Sequence, residues 1–274
     1  MPEGPEIRLA ADKIAKVIEG QQIEDIEVGL PHLTQGAAKL KGRRVEQVET
    51  RGKAMLIHFD NQLSVYSHNQ LYGVWMTAKR GELPATKRSL RLALHTKEKS
   101  ALLYSASDIG IYQREELLAH PFLTKIGPDI LQKNLKWQTL SKRLLSARFC
   151  NRSLSALYLD QHFVAGIGNY LRSEILFAAG VHPDYKPKQL NSEQIEALAR
   201  QTIAVGKRAY KTRGHTVPTS IATALAKTKG SYESVRFMVF NREELPCREC
   251  VTPIIKGQRN GRRIYWCESC QPLV

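Results

Sequence analysis

Long apolar runs are missing from this chain of 274 residues, and no stretch approaches the ~18 residues that a membrane-spanning helix needs. The first residues lack the basic segment and apolar core of a secretory signal. Acidic residues are also few: 26 Asp and Glu face 41 Lys and Arg, giving a net charge of +15 and a pI of about 9.7. The basic residues are spread along the chain rather than gathered in a tail, the footprint of a folded protein that meets a polyanion, most often nucleic acid. The alternative is a basic protein with no such partner. Cysteine is almost absent before residue 247, where Cys150 stands alone and reads as a small, partly buried hydrophobe. The other four fall in the last 28 residues as Cys247-x2-Cys250 and Cys267-x2-Cys270. These absences predict a cytoplasmic chain without a membrane span. In a reducing compartment, paired cysteines at this spacing point to a metal rather than to disulfides.

At the other end stands Met1-Pro2-Glu3-Gly4-Pro5-Glu6. A small residue at position 2 favours removal of Met1, which would leave the secondary amine of Pro2 as the N-terminus, one residue from the Glu3 carboxyl. An unprotonated amine can attack an aldehyde or acetal carbon to give a Schiff base, and a nearby carboxyl can protonate a leaving oxygen. The plain alternative makes Pro2 an ordinary end residue and Glu3 and Glu6 first-turn helix acids. Pro5 predicts a helix start, followed by Ile7, Ala10, Ala11, Ile14, Val17 and Ile18 at helical spacing and a stop at Gly20. The positive end of that helix would disfavour protonation of the Pro2 amine.

From Ile23 to Ser105 the period becomes two. Ile23/Ile26/Val28, Val45/Val48, Met55/Ile57/Phe59, Leu63/Val65, Leu90/Leu92/Leu94 and Leu102/Tyr104 predict strands with one buried face. Six to eight short strands of this kind suggest a sandwich or a flattened barrel. Two stretches break the pattern: Lys53, just after the Arg51-Gly52 turn, and the polar-aromatic loop Ser67-His68-Asn69-Gln70-Leu71-Tyr72-Gly73. Alone, either reads equally as a solvated turn. Past Glu115 the chain turns helical, with the domain boundary placed at the His120-Pro121-Phe122 and Gly127-Pro128-Asp129 connections. Trp137, Leu140, Leu144 and Leu145 predict one helix, Leu154, Leu157 and Leu159 a second, and Leu171–Phe177 a third after Gly166-Ile167-Gly168-Asn169-Tyr170. Bare backbone N–H groups at a glycine-rich helix start can hold a phosphate; tight packing of a helical hairpin would use the same glycines. Asn191 with Gln194 predicts a capped fourth helix with Ile195, Leu198, Ala199 and Ile203 on its apolar face. Residues 207–235 read as a mobile basic connection, with a short helix over Ile221–Ala226 as its one candidate element.

The two cysteine pairs flank sixteen residues, Val251 to Trp266. That spacing predicts one tetrahedral Zn2+ held by Cys247, Cys250, Cys267 and Cys270, a closed and therefore structural site. Ile254-Ile255 and Ile264-Tyr265-Trp266 predict the strands of a hairpin, with Gly257 and Asn260-Gly261 in its turn. Arg259, Arg262 and Arg263 then sit at a free tip suited to phosphate.

These features in this order resemble the formamidopyrimidine-DNA glycosylase and endonuclease VIII family of DNA repair glycosylases, over essentially the whole chain. The resemblance rests on Pro2-Glu3-Gly4-Pro5-Glu6, Lys53, Gly166-Ile167-Gly168-Asn169-Tyr170 and the four-cysteine hairpin with its arginine. Tyr66–Trp75, Leu103–Asp108 and Asn169–Leu176 look like the bacterial endonuclease VIII branch. The implied fold is α+β and multidomain. It has an N-terminal β-sandwich with an N-terminal helix (residues 1–130), a helix-two-turn-helix domain (131–236) and a zinc β-hairpin (237–274), with duplex DNA in a basic cleft.

The resemblance implies an enzyme, working as a monomer, that excises oxidised pyrimidines from duplex DNA and cleaves the strand by β,δ-elimination. Pro2 would form the imine, Glu3 would move protons, Lys53 would assist β-elimination and Arg262 would grip phosphate and support δ-elimination. Arg263 adjoins it, so the finger assignment could slip by one. Asn169 would hold the lesion phosphate, and Gln70, Leu71 and Tyr72 would fill the hole left by the flipped nucleotide. Lys125 stands where this branch usually has an arginine, keeping phosphate attraction but not bidentate geometry. The connection over 207–235 also looks longer than usual. Two rivals remain: the same chemistry on oxidised purines, and a zinc DNA-binding protein without catalysis, against which Pro2, Glu3 and Lys53 all argue.

Overall fold

In the computed structural model of this chain the described residues are 2–226 and 231–273. They form two compact units, Met1–Lys125 and Ile126–Val274.

The first unit opens with helix α1 (Gly4–Ile18), whose buried residues include Ile7, Ala11, Ile14 and Ile18. Strand β1 (Asp25–Val28), the short helix α2 (Thr34–Ala38), β2 (Val45–Arg51), β3 (Ala54–Phe59), β4 (Leu63–His68), β5 (Val74–Lys79), β6 (Leu90–His95), β7 (Lys99–Tyr104), β8 (Asp108–Gln113) and helix α3 (Arg114–Leu118) follow. The strands make a sandwich of two four-stranded sheets, in the orders β2-β3-β4-β8 and β1-β6-β7-β5. Its core gathers Met55, Ile57 and Val65 from one sheet, Trp75, Leu92, Leu94 and Leu103 from the other, and Ile14 and Ile18 of α1. Helix α1 packs against strands of both sheets, so the apolar stripe read from its sequence is what fixes the chain's N-terminal end.

Two strands escaped the period-two reading, β5 and β8. Trp75 is the one core residue that β5 sends inward, and Gly110 interrupts β8, so neither shows a clean alternation. Leu102 and Tyr104 are buried, but on the outer face, in a cluster with Ala93; Ala101 and Leu103 face the core. A register shift between Leu90 and Leu92 moves Leu90 to that same outer side. Central strands covered on both faces carry apolar residues throughout, and periodicity cannot then tell inside from outside.

The second unit comprises α4 (Trp137–Leu144), α5 (Leu154–Leu157), α6 (Asn169–Ala178), α7 (Ser192–Lys211), α8 (Thr219–Ala226), α9 (Tyr232–Val235) and the antiparallel hairpin β9 (Ile255–Arg259) and β10 (Arg262–Trp266). Leu159 lies beyond the end of α5. The Asn191 side chain accepts from the Gln194 amide at 2.8 Å, capping α7. Helix α7 runs on through Lys207, Arg208 and Lys211, where the sequence predicts a mobile connection. Basic side chains suit a helix C-terminus, where the last carbonyls are unpaired. Two further short helices, α8 and α9, lie within the rest of that segment, whose residues Lys227 to Gly230 are outside the described residues. Among the described residues no helix is long and apolar enough to cross a membrane.

Candidate functional site

In the first unit, Glu3 is the N-cap residue of α1 and is 3% exposed. Its backbone N–H donates to Glu6 Oε2 at 2.9 Å. The half-buried Pro2 therefore sits one residue outside a helix start whose direction is locked by the buried stripe of α1. Lys53 is half-buried and ends a two-residue turn between the paired residues Arg51 and Ala54; Gly52 supplies the positive φ of +61°. Ala54 in turn pairs with His68, which brings Lys53 to the same end of the sheet as His68 and Asp108. Burial holds the His68 imidazole below its usual range, Asp108 pulls it up, and the Lys53 charge pushes it down.

Gln70, Leu71 and Tyr72 lie between β4 and β5, with Leu71 60% and Tyr72 70% exposed. Lys125 is exposed at the end of the first unit.

The second unit brings several polar groups onto α6. Gly166 (φ +96°) turns the chain, Gly168 caps the helix and Asn169 is its first residue. The Gln161 side chain braces this turn, accepting from the Gly166 amide at 3.0 Å and donating to the Ile167 carbonyl at 2.8 Å. Arg172 is fully buried. Its guanidinium donates to Asn169 Oδ1 at 2.7 Å, to the Arg263 carbonyl at 2.8 Å and to the Ser155 carbonyl at 2.8 Å. Glu174, also buried, accepts from the amides of Met238 (2.8 Å), Val239 (2.9 Å) and Phe240 (2.8 Å), and from the Thr216 hydroxyl. Ser173 Oγ accepts from the Tyr265 amide at 3.3 Å. One helix thus presents Asn169 and fastens both the hairpin and the segment leading to it. Sequence reading missed Arg172, Glu174 and Gln161 as functional supports. The available signal was a pair of charged residues inside a ten-residue helix whose other positions are largely apolar.

The four cysteines converge, with all their sulfur atoms within 4.8 Å of one another. Cys247 and Cys270 are 3.8 Å apart and Cys250 and Cys267 3.3 Å. Hydrogen bonds with Thr252 draw the Cys250 thiol down to about 6. Asn260 (φ +54°) and Gly261 (φ +70°) form the tight turn of the hairpin. Arg262 and Arg263 are exposed beside it. Two expectations about the tip fail. Gly257 is inside β9, paired with Ile264, and a side-chain carbon there would meet the Trp266 ring at 2.7 Å. Arg259 is not a free tip cation: its guanidinium grips Asp184 with two bonds of 2.7 and 2.8 Å and lies over the Trp266 ring. Arg259 is a strand residue whose side chain turns back toward the helical body, and a bidentate carboxylate satisfies it there.

The formamidopyrimidine-DNA glycosylase N-terminal domain matches residues 1–107, and the formamidopyrimidine-DNA glycosylase H2TH domain matches residues 126–220. Endonuclease 8 of Escherichia coli O9:H4 (strain HS) is 46% identical over 271 residues, covering 99% of this chain and all of that protein. Endonuclease 8 of Shigella sonnei (strain Ss046) gives the same values. Among solved structures, Lactococcus lactis Fpg (MutM) bound to DNA containing N7-benzyl-Fapy-dG superposes with a TM-score of 0.82 at 23% identity, over 99% of this chain and 100% of that one. Its complex with abasic-site DNA gives 0.81 at 24%, with the same coverage. At that identity the likeness is one of fold.

Proposed function

This chain belongs to the formamidopyrimidine-DNA glycosylase and endonuclease VIII family, the DNA glycosylases with AP lyase activity, and from that premise we propose that it excises oxidised pyrimidines from duplex DNA with Pro2 as nucleophile. After removal of Met1, the Pro2 nitrogen attacks C1′ of the damaged nucleoside. The N-glycosidic bond breaks, its electron pair and a proton leave with the base, and the ring oxygen is protonated as the sugar opens to an iminium. Glu3 serves that proton transfer; its burial at the helix start keeps water from competing for it. Loss of the C2′ proton expels the 3′ phosphate, and Lys53 assists that β-elimination. A second elimination expels the 5′ phosphate, with Arg262 holding it. Asn169 binds a phosphate at the α6 start, Lys125 and Arg263 add phosphate contacts, and Gln70, Leu71 and Tyr72 fill the vacated stack.

The four sulfurs suit a tetrahedral zinc thiolate, in which Zn–S bonds of about 2.3 Å place sulfurs roughly 3.8 Å apart. Cys247, Cys250, Cys267 and Cys270 would hold one Zn2+, which supplies folding energy and no open coordination position. Duplex DNA is the partner, and the protein acts as a monomer in the bacterial cytosol.

The full-length likeness to Endonuclease 8, at 46% identity against 23% for the L. lactis Fpg, is the observation that carries the pyrimidine assignment. Borohydride trapping on duplexes carrying thymine glycol or 8-oxoguanine, with Pro2→Gly alongside and the adduct mapped by mass spectrometry, tests it. An adduct on Pro2 with thymine glycol is expected. Preferential trapping on 8-oxoguanine would move the lesion class to purines, and an adduct on a lysine would remove Pro2 from its role.

A further inference from the structure

We propose that Ser107 and Arg88 are positioning residues that hold the Gln70–Tyr72 wedge in its inserting conformation before DNA arrives. The proposal rests on the family reading above, in which that loop fills the space of the flipped nucleotide.

Topology brings the three segments together. Strands β4 and β8 pair in one sheet, with His68 opposite Asp108. Strands β5 and β7 pair in the other, with Val74 opposite Tyr104. The connections β4 to β5 and β7 to β8 both switch sheets, so residues 69–73 and 105–107 run side by side at one end of the sandwich. The Ser105 amide donates to the Ser89 carbonyl at 2.8 Å, which brings the 86–89 segment alongside.

Apolar burial does not hold the wedge, since its two large residues are mostly exposed. Its shape rests on polar contacts and on backbone conformation. Ser107 Oγ donates to Gln70 Oε1 at 3.1 Å, which fixes the amide with its nitrogen as the group left to present. The Arg88 guanidinium donates to the Tyr72 carbonyl. The Gln70 backbone N–H donates to His68 Nδ1 at 3.3 Å and the Gly73 backbone N–H to the Asn69 carbonyl at 2.8 Å. Gln70 in one connection and Ser105 in the other both take the left-handed conformation, at φ +48° and +52°. Non-glycine residues stay there only when their surroundings over-determine them. Gly73 closes the loop so tightly that an added side-chain carbon would meet the Asn69 carbonyl oxygen at 2.7 Å. A loop ordered in advance loses less entropy when it enters the stack. Gln70 is held from its side chain and Tyr72 from its backbone, which leaves the Leu71 and Tyr72 side chains to project.

The test compares two substrates: an abasic site in an ordinary duplex, and the same site inside an unpaired bubble, where no base stack has to be opened. Single-turnover strand cleavage is measured for the wild type, Ser107→Ala, Arg88→Ala and the double variant. The double variant is expected to slow about tenfold on the duplex, the size of two lost ordinary hydrogen bonds, and to keep its rate on the bubble. Ser107→Thr and Arg88→Lys, which retain the donors, should restore most of the duplex rate. 2-Aminopurine opposite the site should brighten less with the double variant than with the wild type. Unchanged duplex rates, or equal losses on both substrates, would overturn the proposal while leaving the family reading intact. A wild type that cleaves the duplex but not the bubble would overturn it too. A wild type inactive on both would sink the functional reading, and the proposal with it.

Discussion

Arg172 and Asn169 are joined by a 2.7 Å hydrogen bond from the guanidinium to the amide oxygen, and the same guanidinium nitrogen reaches the Arg263 carbonyl at 2.8 Å. The amide proposed to grip a phosphate and the strand carrying the finger arginines are therefore set by one fully buried cation. Arg172→Ala would leave the Asn169, Ser155 and Arg263 oxygens without this donor, at a cost of about 3–5 kcal/mol in stability. Arg172→Lys should fare little better in DNA affinity, because a single ammonium cannot reproduce a planar fork aimed at three acceptors. Fluorescence anisotropy with an abasic-site duplex would check this; affinity unchanged in Arg172→Lys would mean the bridge does not govern DNA contact.

Glu174 does for the 238–240 segment what Arg172 does for the hairpin. Its carboxylate accepts from three consecutive amides and from the Thr216 hydroxyl, with one oxygen serving Met238 and Thr216 and the other Val239 and Phe240. Glu174→Gln replaces one of these accepting oxygens with a donor, which must then face N–H groups. A loss of about 2–4 kcal/mol is expected from two unsatisfied buried donors and the repulsion between them. Urea unfolding would register it as a lower midpoint with little change in slope. A midpoint equal to wild type would show that the segment is held by its apolar contacts instead.

Local devices were legible in the sequence. The α7 cap, the α1 stripe and the cysteine knuckles each depend on residues a few positions apart, whose types state their purpose. Arg259, Arg172 and Glu174 were not, because each is defined by a partner far along the chain: Asp184, Arg263 and Val239; Gly257 is defined by the Trp266 ring that packs on it across the hairpin. An arginine near a hairpin tip looks like a phosphate ligand until a carboxylate 75 residues away is found to occupy it. The same limit hid β5 and β8, whose identity lies in the neighbours they pair with rather than in their own alternation.

His68 gives the first unit an acid sensitivity of known sign. Burial is the main cause that lowers its folded pKa, with Lys53 adding to the effect and Asp108 opposing it. The unfolded chain takes up a proton near pH 6.5, whereas the folded chain resists until lower pH. Stability from this group is thus full above the unfolded value and lost as pH falls toward the folded one. His68 Nδ1 also accepts from the Gln70 backbone N–H, a bond available only while that nitrogen is unprotonated. Thermal melts of wild type and His68→Gln between pH 7.5 and 5, conditions chosen around the usual imidazole range, should show the wild type losing more on acidification. Parallel curves would show that the imidazole titrates normally.

Removing the metal proposed for the four-cysteine site should separate the two units in their response. Cys247 and Cys267 are buried in one cluster with Phe177, Val239, Ile254 and Tyr265, so opening the four-sulfur site by Cys247→Ser or by chelation unpacks the base of the hairpin. The first unit has its own core, built from different residues, and shares none of that cluster. DNA affinity should fall by about a hundredfold or more as the phosphate contacts proposed for Arg262 and Arg263 are lost, while the Trp75 environment in the sandwich stays native. Near-ultraviolet circular dichroism with anisotropy on one sample would read both at once. Affinity retained after zinc loss would remove the hairpin from the DNA-binding surface. Collapse of the Trp75 signal would mean that the sandwich depends on the second unit for its fold, and that a four-cysteine site with no catalytic position nevertheless governs the end of the chain that carries Pro2.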